Sequence, residues 1–275
     1  MNKRFLSLII TATIIAIVSA TNTTAQVKRK TKVPAKTGEI SKPEREAIEN
    51  VVREYLIKNP LVVREAMMAL QAQEEKQKRE TTAANMKLLR SEIYSDADSP
   101  VTGNAKGDVT VVVFFDYFCG YCKKTMPGLQ TLLANDSSLR IVYKEFPILG
   151  AQSLSAARAA LAASRQGKYA EFHQALLAAA GAGEDLIKAV SEGLNLDYAK
   201  LQKDMSDPKI SAALERNIRL AELLNINGTP TYLVGDQLIP GALDSDSLAR
   251  LIKAERAKST SSEIENSRAP TKGAN

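Results

Sequence analysis

"FFDYFCGYCKK", residues 114–124, holds both cysteines of the 275-residue chain, spaced C-x-x-C and followed at once by two lysines. The residue inventory removes most uses of such a pair. A closed structural zinc site is built from four Cys and His ligands, and this chain offers three, Cys119, Cys122 and a lone histidine, His173. No metal site is predicted. Covalent haem attachment needs a histidine directly after the second cysteine, where this chain has Lys123. A structural disulfide across so short a loop gains little chain-entropy stabilisation. Thiol–disulfide exchange remains.

The flanks support exchange. Thr110 to Phe115, "TVVVFF", is a β-branched and aromatic run of strand character, and Lys123 to Leu133 reads as a helix. Cys119 then falls at a strand-to-helix turn, where free backbone amides and the helix dipole favour the attacking thiolate. Cys122, one turn further in, is the shielded resolving thiol. Lys123 and Lys124 either add positive potential or are solvated surface lysines.

The N-terminus indicates a compartment. Lys3 and Arg4 precede an uncharged apolar run over residues 5–18, and small-residue cleavage sites follow at Val18-Ser19-Ala20 or Thr23-Thr24-Ala25. This pattern predicts a signal peptide over residues 1–25; the run is shorter than the ~20 residues a membrane span needs. In an oxidising compartment a C-x-x-C pair is either a disulfide or a working catalyst. Removing Lys3 and Arg4 takes the formal charge from +6 to +4. Much of that excess sits in Lys28, Arg29, Lys30, Lys32 and Lys36, within a basic linker predicted to be disordered over residues 26–40. It has no interleaved aromatics, so no nucleic-acid partner is expected.

Residues 41–95 read as a helical segment. Ser41 and Glu44 have capping-box spacing, and Ile48, Val51, Val52, Tyr55 and Leu56 form an apolar stripe. Asn59-Pro60 breaks the helix, and Val63, Met67 and Leu70 mark a second run before the polar stretch "QAQEEKQKRETT", residues 71–82. The stripe either packs on its own domain or joins copies of the chain; the polar spacer favours a homo-oligomer formed through residues 41–90.

Residues 98–258 read as the catalytic domain. After the dithiol helix, with a kink expected at Pro127, Arg140 to Phe146 is a strand. Residues 151–225 are an all-helical insertion, with breaks at Gln166-Gly167, Gly181 to Gly183 and Ser206-Asp207-Pro208. Thr231 to Ala242 is a hairpin around Gly235-Asp236, Asp246 to Arg256 a last helix, and residues 259–275 a disordered polar tail. The order strand, helix, strand, insertion, hairpin, helix is α/β.

With the strand into "FCGYCKK", Pro127 after the second cysteine, Phe172-His173 in the insertion and "GTP" at Gly228-Thr229-Pro230 before the hairpin, the chain resembles the DsbA family of disulfide oxidoreductases. Its N-terminal helices and residues 99–123 are similar to Com-type outer-membrane-associated antigens and to ScsC-like proteins, whose N-terminal helices oligomerise. The resemblance implies a thioredoxin fold with the helical domain inserted. It also implies that Cys119 is the nucleophile, that Cys122 resolves, and that Pro230 is a cis-proline facing them, with Thr229 presenting backbone to an extended substrate. No cofactor is implied beyond the redox-active Cys119–Cys122 disulfide. Exported cysteine-containing proteins are the implied substrates, with a membrane redox partner and a periplasmic location, in some relatives with outer-membrane association.

The departures bear on mechanism. Between the cysteines stand Gly120 and Tyr121, where the strongly oxidising archetype carries Pro-His, so the thiol is less acidic and the disulfide less oxidising. With Thr before the proline, this is similar to DsbC-type isomerases, and an isomerase or mixed isomerase and oxidase is expected ahead of a dedicated oxidase. The archetype's acid six residues before the first cysteine is here Val113. Asp116 and Glu145 are candidates for a proton relay, with structural roles the stronger reading for each; His173 is read as a hydrogen-bonded packing residue. The alternatives are a Cu(I)-binding protein in which Cys119 and Cys122 hold the ion and Met67 and Met68 contribute, and a cell-surface structural protein with an incidental dithiol.

Overall fold

A computed structural model describes residues 40–181 and 183–268, with side chains to residue 259. The predicted signal peptide and all of the basic linker but Ile40 lie outside these residues. The described residues divide into two compact units, one up to Val63 and one from Arg64 onward.

In the first unit α1 (Lys42–Lys58) starts where the capping box predicts. The Ser41 backbone N–H and hydroxyl both donate to the Glu44 carboxylate, at 3.0 and 2.7 Å. Asn59 ends α1, and Pro60 opens α2 (Pro60–Leu88), in the first turn of a helix where a missing N–H costs nothing. No residue of α1 is buried. Its apolar stripe is open: Val51 is 68% exposed and Tyr55 55%.

In the second unit α2 continues through the polar stretch to Leu88, then α3 (Arg90–Tyr94), β1 (Val101–Gly103) and β2 (Val109–Phe115) follow. After the dithiol helix α4 (Gly120–Asn135) come β3 (Leu139–Glu145), the helices α5 (Ala151–Ser164), α6 (Tyr169–Ala178), α7 (Gly183–Gly193), α8 (Tyr198–Met205) and α9 (Pro208–Leu223), then β4 (Thr231–Val234), β5 (Gln237–Pro240) and α10 (Ser245–Arg268). The five strands lie in the order β1-β3-β2-β4-β5, with β2 and β3 parallel and the other pairs antiparallel.

β2 is central and apolar on both faces, as a strand covered by helices on each side must be. The pleat sends alternate side chains to opposite faces. Val111, Val113 and Phe115 join Met126 and Leu129 of α4, Leu248 and Ile252 of α10, and the insertion in one core. Val112 and Phe114 join Met86 of α2, Ile93 of α3 and Leu220 and Leu224 of α9 in the other. Each fully buried side chain of this size contributes ~1.5–3 kcal/mol, and the opposed faces fix the sheet between its two helical layers.

Three features differ from the sequence expectation. β1 and α3 are additional elements before β2. The insertion has a further break after Gly193, where Asn195 takes a left-handed φ of 55° and Asp197 caps α8 by accepting from the Lys200 N–H at 2.9 Å. The polar tail is helical as far as Arg268, as the continuation of α10. Helix α4 runs unbroken through Pro127. No helix among the described residues is long and apolar enough to cross a membrane.

Candidate active site

Cys119 is the N-cap of α4, its backbone extended at φ −76° and ψ 115°, and its carbonyl accepts the first helical bond from the Lys123 N–H at 3.0 Å. It sits where β2 ends and α4 begins. Gly120 and Tyr121 form the exposed first turn, Tyr121 at 66%. Cys122 lies one turn deeper and is fully buried, whereas Cys119 is 8% exposed. Burial, with a smaller contribution from the neighbouring Cys119, pushes the Cys122 thiol up to about 12. Only Cys119 can therefore meet an incoming sulfur, while Cys122 remains a protonated thiol at neutral pH.

The Thr229–Pro230 bond is cis, and it leads directly into β4, which pairs with β2. That pairing brings the Thr229 carbonyl over the dithiol, where it accepts from the Cys119 thiol at 3.2 Å. The four positions singled out around the chemistry, Cys119, Cys122, Thr229 and Pro230, thus come together from segments distant in sequence. One turn beyond Cys122 on α4, the Tyr232 hydroxyl of β4 donates to Thr125 at 3.1 Å, in the same core as the two cysteines.

The two lysines part ways. The Lys123 ammonium donates to the Ala179 carbonyl at 2.7 Å and lies 5.8 Å from the centre of the Phe118 ring, which ties α4 to the end of α6. Lys124 is exposed.

Asp116 is structural. Its buried carboxylate accepts from the backbone N–H groups of Phe118 (2.8 Å), Ile148 (2.9 Å) and Leu149 (3.0 Å) and from the Ser153 hydroxyl (2.8 Å). One side chain thereby joins the turn before Cys119 to the loop after β3. Ile148 and Leu149, held by it, are 41% and 55% exposed.

Glu145 ends β3 and lies in a cluster the sequence did not announce. Its Oε1 accepts from the Tyr117 and Tyr169 hydroxyls at 3.0 and 2.8 Å, and its Oε2 is buried without a partner. Burial raises the carboxyl to about 8, against the hydroxyl bonds that lower it. His173 Nδ1 is 3.0 Å from the same Tyr117 oxygen, with the imidazole packed among Phe115, Tyr143 and Tyr169. Burial pushes it down to about 3, so it is a neutral packing residue.

A family model described as the DSBA-like thioredoxin domain matches residues 110–253, and one described as the copper resistance protein ScsC N-terminal domain matches residues 44–77. A thioredoxin-like oxidoreductase from Silicibacter pomeroyi is 42% identical, with 61% of this chain and 98% of that one covered at a TM-score of 0.59. Proteus mirabilis ScsC in a transitional conformation is 28% identical, covering 79% of this chain and 99% of its own at a TM-score of 0.60. Disulfide bond formation protein D of Bacillus subtilis is 26% identical over 57% of this chain and 76% of its own. The chain also matches curated Na(+)/H(+) antiporters, of whose length it spans about a quarter.

Proposed function

The chain belongs to the DSBA-like thioredoxin domain family of thiol:disulfide oxidoreductases, and on that premise we propose that it exchanges disulfides with exported cysteine-containing proteins as a homo-oligomeric isomerase or mixed isomerase and oxidase. The observation that carries the reading is the asymmetry of the dithiol: Cys119 at the helix N-terminus beside the Thr229 carbonyl, Cys122 buried behind it.

The Cys119 thiolate attacks one sulfur of a client disulfide, forming a mixed disulfide and releasing one client thiolate. In isomerisation a different client thiolate attacks the client sulfur of the mixed disulfide, forming a new client disulfide and expelling the Cys119 thiolate, with no net electron transfer. If the client stalls, the Cys122 thiol attacks the Cys119 sulfur, its proton passing to the departing client thiolate; that client disulfide is left as two thiols, and the two electrons it gains leave a Cys119–Cys122 disulfide. A reducing membrane partner then restores the dithiol. The chemistry needs no cofactor beyond the two cysteines.

Support for isomerase over dedicated oxidase comes from Gly120 and Tyr121 between the cysteines, with no cationic group there to stabilise a thiolate and make the disulfide strongly oxidising. Thr229 before the proline and the open apolar face of α1 point the same way. The predicted signal peptide supports a periplasmic location. Rapid acid quench and thiol alkylation of the exported protein tests the reading: predominantly reduced cysteines fit an isomerase kept poised by a reducing partner, and a predominantly oxidised pair establishes the dedicated oxidase instead.

A further inference from the structure

The helical insertion holds a cavity that the redox chemistry does not use. It is a half-open cleft of about 400 Å³ between α5, α7 and α8, within the size range of small-ligand sites. Neither cysteine lines it, nor does Thr229 or Pro230. Leu154, Ile187 and Met205 form apolar wall, and its charged residues are Arg158 and Glu184.

Arg158 stands on α5 between the buried alanines 157 and 159. Its Nε is buried without a hydrogen-bond partner, and its Nη2 donates to the Ser211 hydroxyl at 3.2 Å. Among the described residues no carboxylate is within ion-pair distance of it, whereas Arg165, Arg216 and Arg256 each hold one. A guanidinium carries five N–H donors, and a partly buried one without a counter-charge is costly to keep. Glu184, at the exposed side, is already oriented: the Tyr198 hydroxyl and the Gln202 amide donate to its Oε1 at 3.2 and 3.0 Å. Its charge opposes a dianion such as phosphate in the same cleft, and the apolar wall gives a small hydrated anion nothing to pack on.

We propose that this cleft binds an apolar α-carboxylate bearing an N–H group, the carboxylate on Arg158, the apolar side chain on Leu154, Ile187 and Met205, and the N–H on Glu184. This chemistry belongs both to a free apolar amino acid and to the C-terminal residue of a peptide. Arginine matches a carboxylate with parallel N–H bonds, which gives this guanidinium the counter-charge it lacks.

Calorimetric titration of the full chain with leucine, N-acetylleucine, leucinamide and inorganic phosphate tests the proposal. Binding of leucine, N-acetylleucine or both is expected, with none of leucinamide or phosphate. Tighter N-acetylleucine assigns the site to peptide termini, and tighter leucine assigns it to the free amino acid. Arg158→Met abolishes binding and Arg158→Lys weakens it about tenfold. Met205→Phe fills the cleft and abolishes binding with Arg158 in place, so a loss caused by misfolding of the Arg158 variants is distinguished. Reduction of the Cys119–Cys122 disulfide by a small-molecule thiol is unchanged in all three. Absence of binding by both leucine and N-acetylleucine at millimolar concentration, equal binding of leucinamide, or wild-type affinity in folded Arg158→Met overturns it.

Discussion

The Cys119 thiol donates to the Thr229 carbonyl at 3.2 Å, across a strand pairing that joins residues far apart in sequence. On the proposed exchange chemistry, the carbonyl that Cys119 engages is freed for an extended substrate strand when the thiol becomes part of a mixed disulfide. The contact also makes the two cysteines unequal. With Cys122 pushed up to about 12, its thiolate fraction at pH 8 is on the order of 10⁻⁴. Brief iodoacetamide treatment of the reduced protein at pH 8 is therefore expected to label Cys119 and leave Cys122 unlabelled, as read by peptide mass. In vivo, Cys122→Ser accumulates mixed disulfides through Cys119, visible on non-reducing gels. Cys119→Ser forms none and loses exchange activity by ~100-fold or more. Equal labelling of the two cysteines contradicts the asymmetry.

Asp116 governs a second prediction. Four donors from two segments converge on its carboxylate, and each buried donor left unpaired costs ~1–3 kcal/mol. Asp116→Ala is expected to destabilise the protein by ~3–5 kcal/mol in urea unfolding. Asp116→Asn, which keeps one oxygen acceptor, loses less. The local effect is diagnostic: the amides of Ile148 and Leu149 lose hydrogen-exchange protection in Asp116→Asn, while those of β2 keep theirs. A uniform loss across the sheet would mean that Asp116 only contributes to global stability.

Where the physics is local or periodic, the sequence shows the structure. The run from Thr110 to Phe115 is apolar on both faces because helices cover both, and the C-x-x-C that follows can only sit at the turn into α4. Gly235, with φ at 58°, marks the hairpin because a turn residue at positive φ favours glycine. What stayed hidden depends on tertiary context. β1 is three residues long, too short for any period, and it exists because β3 has a free edge. α3 is five residues long and buries only Ile93; it is held in place by Lys144, whose buried ammonium donates to the Glu92 carbonyl and the Asp96 carboxylate. Composition assigns Lys144 and Asp116 to solvent, and both are 1% exposed. The Tyr117, Tyr169 and His173 cluster around Glu145 draws on three elements, and no spacing in the chain announces it.

Glu145 supplies a pH dependence. Its folded-state carboxyl, at about 8, lies above the ~4.3 of an unfolded glutamate, so the folded state holds the proton more tightly. The stability this gives is complete below pH ~4.3 and is lost as pH rises through 8. His173 acts in the opposite sense. Held down to about 3, it favours the folded state above its unfolded value near 6.5, and that contribution is lost as pH falls below it. Tyr117, Tyr143 and Tyr169, which face Glu145 and His173, are raised above the ordinary phenol value and stay protonated. Between pH 6.5 and 8.5, then, the slope belongs to Glu145. Wild-type stability is expected to fall by a few kcal/mol over that window, and Glu145→Gln to flatten the profile to within ~1 kcal/mol. Parallel wild-type and variant profiles would remove Glu145 as the source.

The open stripe of α1 carries the last prediction. Ile48, Val51, Val52 and Tyr55 are all at least half exposed, and a single chain rarely leaves so continuous an apolar face in water. If copies of the chain bury it against one another, Val51→Glu with Leu56→Glu places charges at the seam, where burying them unpaired is prohibitive. Glutamate is a good helix former and no residue of α1 is buried in its own unit, so the helix itself survives. Light scattering is expected to show an oligomer for the wild type and a monomer for the double variant, with unchanged helical circular dichroism. The monomer keeps its rate with a small disulfide, because Cys119, Cys122 and Thr229 are untouched. It loses rescue of a scrambled client, since isomerisation by an oligomer holds one client against several dithiols and raises their effective concentration. A wild type that is monomeric at tens of micromolar, or a double variant that still rescues the client at the wild-type rate, rules out this role for α1.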